Sequence, residues 1–191
     1  MNSSKILRIG LMGSSCSGKT TSAKILATEL GLDLQPEFES EMLLDWIRRG
    51  KIKDKSRMSS ELIRAFHEEA LNLREQMSSS SERYVSDRTA AELLVYNRLY
   101  TQPHFHRDYG EDFNSRCKSV MAKYTHLFLF PQGVLPLEDN GVRTIDSEYR
   151  LRVHTLLLEV LKDLGISYSS LSNQRLDKRE RVEEIKRWLE I

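Results

Sequence analysis

Gly13-Ser14-Ser15-Cys16-Ser17-Gly18-Lys19-Thr20 matches the phosphate-binding pattern G-x-x-x-x-G-K-[ST] at every fixed position. Glycines let such a loop curl until successive backbone N–H groups face one anion. The start of a following helix adds about half a positive charge at the same spot. Lys19 then reaches the β- and γ-phosphates, the Thr20 hydroxyl can ligate Mg²⁺, and Thr21 continues the turn beside the nucleotide. The expected ligand is a nucleoside triphosphate, with ATP and Mg²⁺ as cofactors.

Three further groups of residues carry chemistry. Asp87-Arg88-Thr89 follows a short, weakly written strand, Arg83 to Ser86. Ligands of open α/β sheets bind at that edge. A carboxylate there can hold Mg²⁺ or take a proton from an attacking hydroxyl, and Arg88 can grip an anionic substrate group with its fork of donors. The competing reading makes Asp87 the cap of the next helix. Glu37 ends an earlier strand in the same way, as a ligand for a sugar hydroxyl, an alternative base, or a solvated acid near a helix start. The polar segment 132–146 is expected to be a lid that brings Arg143 to the γ-phosphate, with Arg150 joining it from the following helix. Fixed arginine donors stabilise the charge that spreads over a phosphoryl group in transfer.

These residues need a scaffold, and the periodicity supplies one. Ile6 to Met12 reads as an apolar strand. Ala23, Leu26, Ala27 and Leu30 recur at helical spacing before Gly31. A short strand, Leu32 to Gln35, precedes a helix capped by Ser40 and ended by Gly50. Another helix starts at Ser59-Ser60-Glu61 and breaks at Ser78 to Ser81. Helices are expected around Leu93 to Leu99 and from Tyr109 to Tyr124. Thr125 to Phe130 is a continuous apolar run, the mark of a strand buried on both faces. Ser147 to Leu164, with Leu151 in its apolar stripe, is a long helix. Ile166 to Leu171 is the last strand, and Asp177 to Glu190, with Trp188 in its stripe, the last helix. Repeated βα units demand a parallel sheet covered on both faces, in one domain over 1–191.

Composition narrows the function classes. A net charge of +1 gives no basic field for nucleic acid, and no apolar run reaches the length of a membrane span. The basic stretch from Arg48 to Arg57 reads as a solvated loop. Met1 to Lys5 leads straight into the first strand, so no signal peptide is expected. Cys16 and Cys117 form no metal or disulfide framework, which suits a reduced, cytoplasmic setting. His104-Phe105-His106 offers two metal ligands without a third. Tyr96, Tyr100, Phe105 and Tyr109 are expected to pack, or to stack on a base.

Together these motifs resemble the P-loop nucleoside and nucleotide kinase superfamily. Within it they are most similar to the AAA-domain group that includes the ribosylnicotinamide kinase domain of the bacterial NAD-salvage regulator. The similarity rests on Gly13 to Thr20, on Pro36-Glu37-Phe38, and on Asp139-Asn140-Gly141-Val142-Arg143 followed by the helix of Arg150. The resemblance implies a three-layer α/β sandwich with a five-stranded parallel sheet and the phosphate-loop strand at its centre. It implies a kinase in which Lys19 and Thr20 hold Mg-ATP and Asp87 is base or metal anchor. Glu37, Arg88 and Arg150 would bind a small nucleoside- or nucleotide-like acceptor, and Arg143 would close the site. The alternative is a regulatory switch that hydrolyses ATP without an acceptor.

Overall fold

Strand β1 (Leu7–Met12) enters the phosphate loop and leaves it as helix α1 (Lys19–Leu30). The chain continues through β2 (Asp33–Gln35), α2 (Glu39–Arg48), α3 (Ser60–Ser80), β3 (Arg83–Asp87), α4 (Ala90–Tyr100) and α5 (Gly110–Met121). It ends with β4 (His126–Leu129), α6 (Ser147–Leu164), β5 (Ser169–Ser170) and α7 (Lys178–Leu189). The computed structural model describes residues 6–53, 58–100, 110–134, 146–174 and 176–191.

The five strands are parallel, in the order β2-β3-β1-β4-β5, so the phosphate-loop strand is central as expected. Side-chain alternation divides the core between two faces. Ile9, Leu11, Val85, Phe128 and Phe130 point to the layer formed by α1 and α7. Met12, Leu127 and Leu129 point to the other layer, where α4 packs against α3, α5 and α6. β4 is buried on both faces, as its unbroken apolar run requires.

A side chain at one position on β1 would have to displace its neighbours. A Cβ on Gly10 would lie 2.6 Å from Leu127 Cδ2 and 2.9 Å from Thr89 Cγ2. Thr89 immediately precedes α4, so the helix start rests directly on the bare backbone of the central strand.

The structure departs from the sequence reading in several places. α3 runs on through Ser78 to Ser80, where a break was expected. The Ser78 and Ser79 hydroxyls donate to Glu75 O and that of Ser80 to Met77 O, folding the polar groups back onto the helix. α2 starts at Glu39, one residue before the expected cap Ser40. Its first turn is satisfied by Glu37, whose carboxylate accepts from Ser40 N and Oγ, both at 2.9 Å. Leu151 and Trp188, each 53% exposed, lie off the buried stripes of α6 and α7. The stripe of α6 is Arg150, Val153, Leu157, Val160, Leu161 and Leu164. No described helix is long and apolar enough to cross a membrane.

Candidate active site

The phosphate loop is set by backbone conformations that its residue types determine. Gly13 has φ 142°, and a Cβ there would sit 3.1 Å from Phe130 O at the end of β4. Only glycine combines that dihedral with that clearance. Cys16 takes a left-handed φ of 53° at the crest of the loop. α1 opens directly at Lys19. The Lys19 ammonium, 6% exposed, donates to Gly13 O at 2.7 Å, Ser14 O at 2.8 Å and Ser17 Oγ at 3.2 Å. It therefore bridges the loop from within, on the side where an anion would be gripped. The buried Ser14 hydroxyl has no hydrogen-bond partner, while Thr20 and Thr21 are exposed on the first turn of α1.

The second strand-end sits beside the loop. Asp87 pairs with Leu11 in the β1–β3 register, and Arg88 N donates to Leu11 O at 3.1 Å. Asp87 is 2% exposed, and its Oδ2 has no hydrogen-bond partner. Such an orphan is rare in a folded protein and suits a group that meets a cation or a reacting proton. The helix-cap reading of Asp87 does not hold. Thr89 and Glu92 cap α4 instead: Ala91 N donates to Thr89 Oγ1 at 3.2 Å, and Thr89 N donates to Glu92 Oε2 at 2.9 Å.

Glu92 also reaches across the sheet edge. Its Oε1 accepts from Gly13 N at 3.1 Å, tying the loop's first residue to the head of α4. Burial pushes the Glu92 carboxyl above the usual range, against the pull of Lys19 and Arg88. The sequence carried this signal: Thr89-Ala90-Ala91-Glu92 is a capping-box spacing ahead of an apolar run.

Arg88 adopts φ 76°, unusual for a residue with a side chain, and its surroundings fix it there. Its carbonyl accepts from Ser86 Oγ at 2.6 Å and from Arg74 Nη1 at 3.2 Å. Arg74 comes from α3, is 1% exposed, and makes a paired contact with Glu39 at 2.8 and 3.0 Å. It also donates to Ser86 Oγ at 3.0 Å and stacks on Phe38. Burial alone would raise the Glu39 carboxyl, but Arg74 and Arg88 overcome it and hold it below the usual range. Arg74 and Glu39 gave no motif in the sequence; only the fold brings them together across 35 positions.

Among the described residues, two hollows flank the phosphate loop. One, about 150 Å³, lies among α2, α3, α4 and α6, with Ser15 of the loop, Glu37, Glu39 and Arg88 on its wall. Arg88 Nη2 is 4.0 Å from Glu37 Oε1 there. Phe66, Tyr96, Tyr100 and Tyr149 line the same hollow, and the last two hydroxyls are hydrogen-bonded to each other. The other, about 610 Å³, is formed by Ser17, Gly18, Thr21 and Val134 with residues around the start of α7.

Lys19, Asp87, Glu37 and Arg88 are thus brought to one edge of the sheet. Arg150 is buried on α6, near Gly133 at the exit of β4, and lines neither hollow. Arg143, most of the expected lid, the His104-Phe105-His106 segment and Tyr109 lie outside the described residues.

The architecture has solved counterparts. YorR of Bacillus subtilis, in complex with phosphorylated GDP, superposes with a TM-score of 0.62 at 18% identity, covering 96% of this chain and 95% of that one. Deoxyadenosine kinase of M. mycoides, with products dCMP and dCDP, gives 0.67 at 16% identity over 96% and 98%. NadR in complex with NAD and AMP-PNP gives 0.69 at 17% identity, covering 98% of this chain, which spans 50% of that one. At such identities the likeness is one of fold. No curated protein matches the sequence. The model of the AAA domain family matches from residue 8 to residue 179, and the chain belongs to that family.

Proposed function

We propose that this protein is an ATP-dependent phosphotransferase that moves the γ-phosphate to a hydroxyl of a small nucleoside- or nucleotide-like acceptor. The observation that carries this reading is the hollow beside the loop. Ser15, at the phosphate end, and Glu37 and Arg88, beside the Asp87 strand-end, line one cavity. A hydrolytic switch needs no such second chamber.

The nucleoside of ATP takes the larger hollow, continuous with the loop through Ser17, Gly18 and Thr21. Lys19 exchanges its contacts with Gly13 O and Ser14 O for phosphate oxygens. Thr20 and the unpartnered Oδ2 of Asp87 are the donors that fit Mg²⁺, whose charge would screen the phosphates. The acceptor oxygen attacks the γ-phosphorus, the bond to the bridging β–γ oxygen breaks, and ADP leaves. The hydroxyl proton passes to Asp87, with Glu37 as the competing base. Arg88 and the Arg143 of the expected lid supply positive charge to the group in transit, and Arg150, which lines neither hollow, would act from the exit of β4 beside Gly133.

ATP turnover measured with and without a panel of nucleosides and nucleotides tests the reading. Strong stimulation and a phosphorylated product are expected. Turnover indifferent to every acceptor would replace the kinase with the switch.

A further inference from the structure

We propose that His67 is the specificity-determining residue of the smaller hollow, reading the polar edge of a planar, uncharged heterocycle carried by an unphosphorylated acceptor. The proposal rests on the phosphotransfer reading above and adds the class of acceptor.

The hollow runs from Ser15 to His67 on α3, and its wall is rich in rings, among them Phe66, Tyr96 and Tyr149. Such a wall favours a flat aromatic guest over a compact polyol. His67 is 5% exposed and its Nδ1 has no hydrogen-bond partner. Buried polar atoms are nearly always paired, so an unpartnered ring nitrogen on a residue lining a cavity points to a partner that arrives with the ligand. The Asn97 side chain, from α4, hydrogen-bonds His67 and fixes the ring. Burial pushes the imidazole down to about 4, so near pH 7 it is neutral. A neutral imidazole offers one donor and one acceptor, complementary to a carbonyl, amide or ring nitrogen rather than to an ion.

The charged groups of the hollow argue against a phosphorylated acceptor. Among the described residues its carboxylates, Glu37 and Glu39, face Arg88 and Arg74. A phosphomonoester on the acceptor would meet both acids and would compete with the transferred phosphoryl group for Arg88. A hydroxyl finds acceptors among the same carboxylates.

The test uses the full chain loaded with a non-hydrolysable ATP analogue. Calorimetry measures adenosine, guanosine, cytidine and uridine, their 5′-monophosphates, and analogues lacking one ring-edge heteroatom. At least one nucleoside should bind more tightly than its monophosphate, and one ring-edge deletion should weaken it about 10- to 100-fold. In His67→Phe the parent and that analogue should bind alike, while His67→Gln restores part of the difference. With ATP, His67→Phe should raise the acceptor KM far more than it lowers kcat. The proposal falls if no nucleoside binds, if the monophosphate binds tighter, if no deletion matters, or if His67→Phe keeps the parent-to-analogue ratio. The analogue series on the unsubstituted protein decides even if the variant does not fold. Nucleosides bound in this pattern but never phosphorylated would remove the kinase reading and leave His67 in place. Phosphorylation with an unchanged ratio would do the reverse.

Discussion

The Glu92 carboxylate accepts a hydrogen bond from the amide of Gly13 at 3.1 Å, so the phosphate loop and the head of α4 share one side chain. The same carboxylate accepts from Thr89 N and Thr89 Oγ1 at 2.9 and 2.8 Å. Glu92→Ala leaves these buried donors without a partner. It should lower stability by about 1–3 kcal/mol and weaken nucleotide binding as well. Urea denaturation and nucleotide titration check this. A variant that loses stability yet binds nucleotide as before would show that the bond to Gly13 does not shape the loop.

Lys19→Ala removes the ammonium that spans Gly13 O and Ser14 O. Turnover should fall about 100- to 1,000-fold or more through loss of charge on the phosphates. Steady-state kinetics with ATP reads this directly, and an undiminished rate would contradict the assignment of the loop.

Asp87→Asn keeps the shape of a side chain that is 2% exposed and removes its charge. Turnover should drop by about 10²–10⁴-fold while nucleotide affinity changes little, because in the proposed reaction the carboxylate would act on the acceptor proton or the metal. Pairing a binding titration with turnover separates the two effects; equal losses in both would reduce Asp87 to a binding role.

Arg74, which is fully buried, neutralises Glu39, whose side chain is 11% exposed on the wall of the hollow. Arg74→Met should cost about 3–5 kcal/mol, because it strands a largely buried carboxylate. Arg74→Lys should recover only part of this, since one ammonium cannot reproduce contacts at 2.8 and 3.0 Å with the carboxylate and at 3.0 Å with Ser86. Chemical denaturation of both variants checks the order; a lysine variant as stable as the parent would show that charge suffices.

His67 gives a pH signature. Burial lowers its pKa from 6.5 to about 4, although Asn97 and Glu39 pull the other way. The unfolded chain takes up this proton near pH 6.5 and the folded chain only near 4, so protons favour unfolding between the two. The contribution of His67 is intact above pH 6.5 and is lost as pH falls toward 4, by about 3 kcal/mol. His67→Phe should lack this slope. Denaturation of both proteins at pH 7, 5.5 and 4 measures it, and a difference independent of pH would place the His67 titration elsewhere.

Much of this was legible because local rules and the fold agree. The phosphate loop carries its own strand, turn and helix start, and the buried run of β4 can only be an interior strand. Asp87 was readable as a strand-end acid. Its distinction from a cap was readable too, from Thr89 and Glu92, but only by weighing the residue five positions on. Glu39, Arg74 and His67 could not be read. Each sits on a helix face where charge or a ring ordinarily means solvent or packing, and their partners come from other elements. Leu151 and Trp188 misled in the opposite sense, since residues beside a stripe can be apolar without being buried.

Gly10 carries a final implication. Where its neighbours on β1 carry side chains, this residue offers none, and Leu127 of β4 and Thr89, just ahead of α4, fill the gap. A methyl group there would act as a wedge between strand and helix. The loop on one side and the cavity wall on the other would each keep their own internal order. For the proposed transfer, even a small shift of Thr89 and the head of α4 away from the loop would separate the two partners it has to bring to reacting distance.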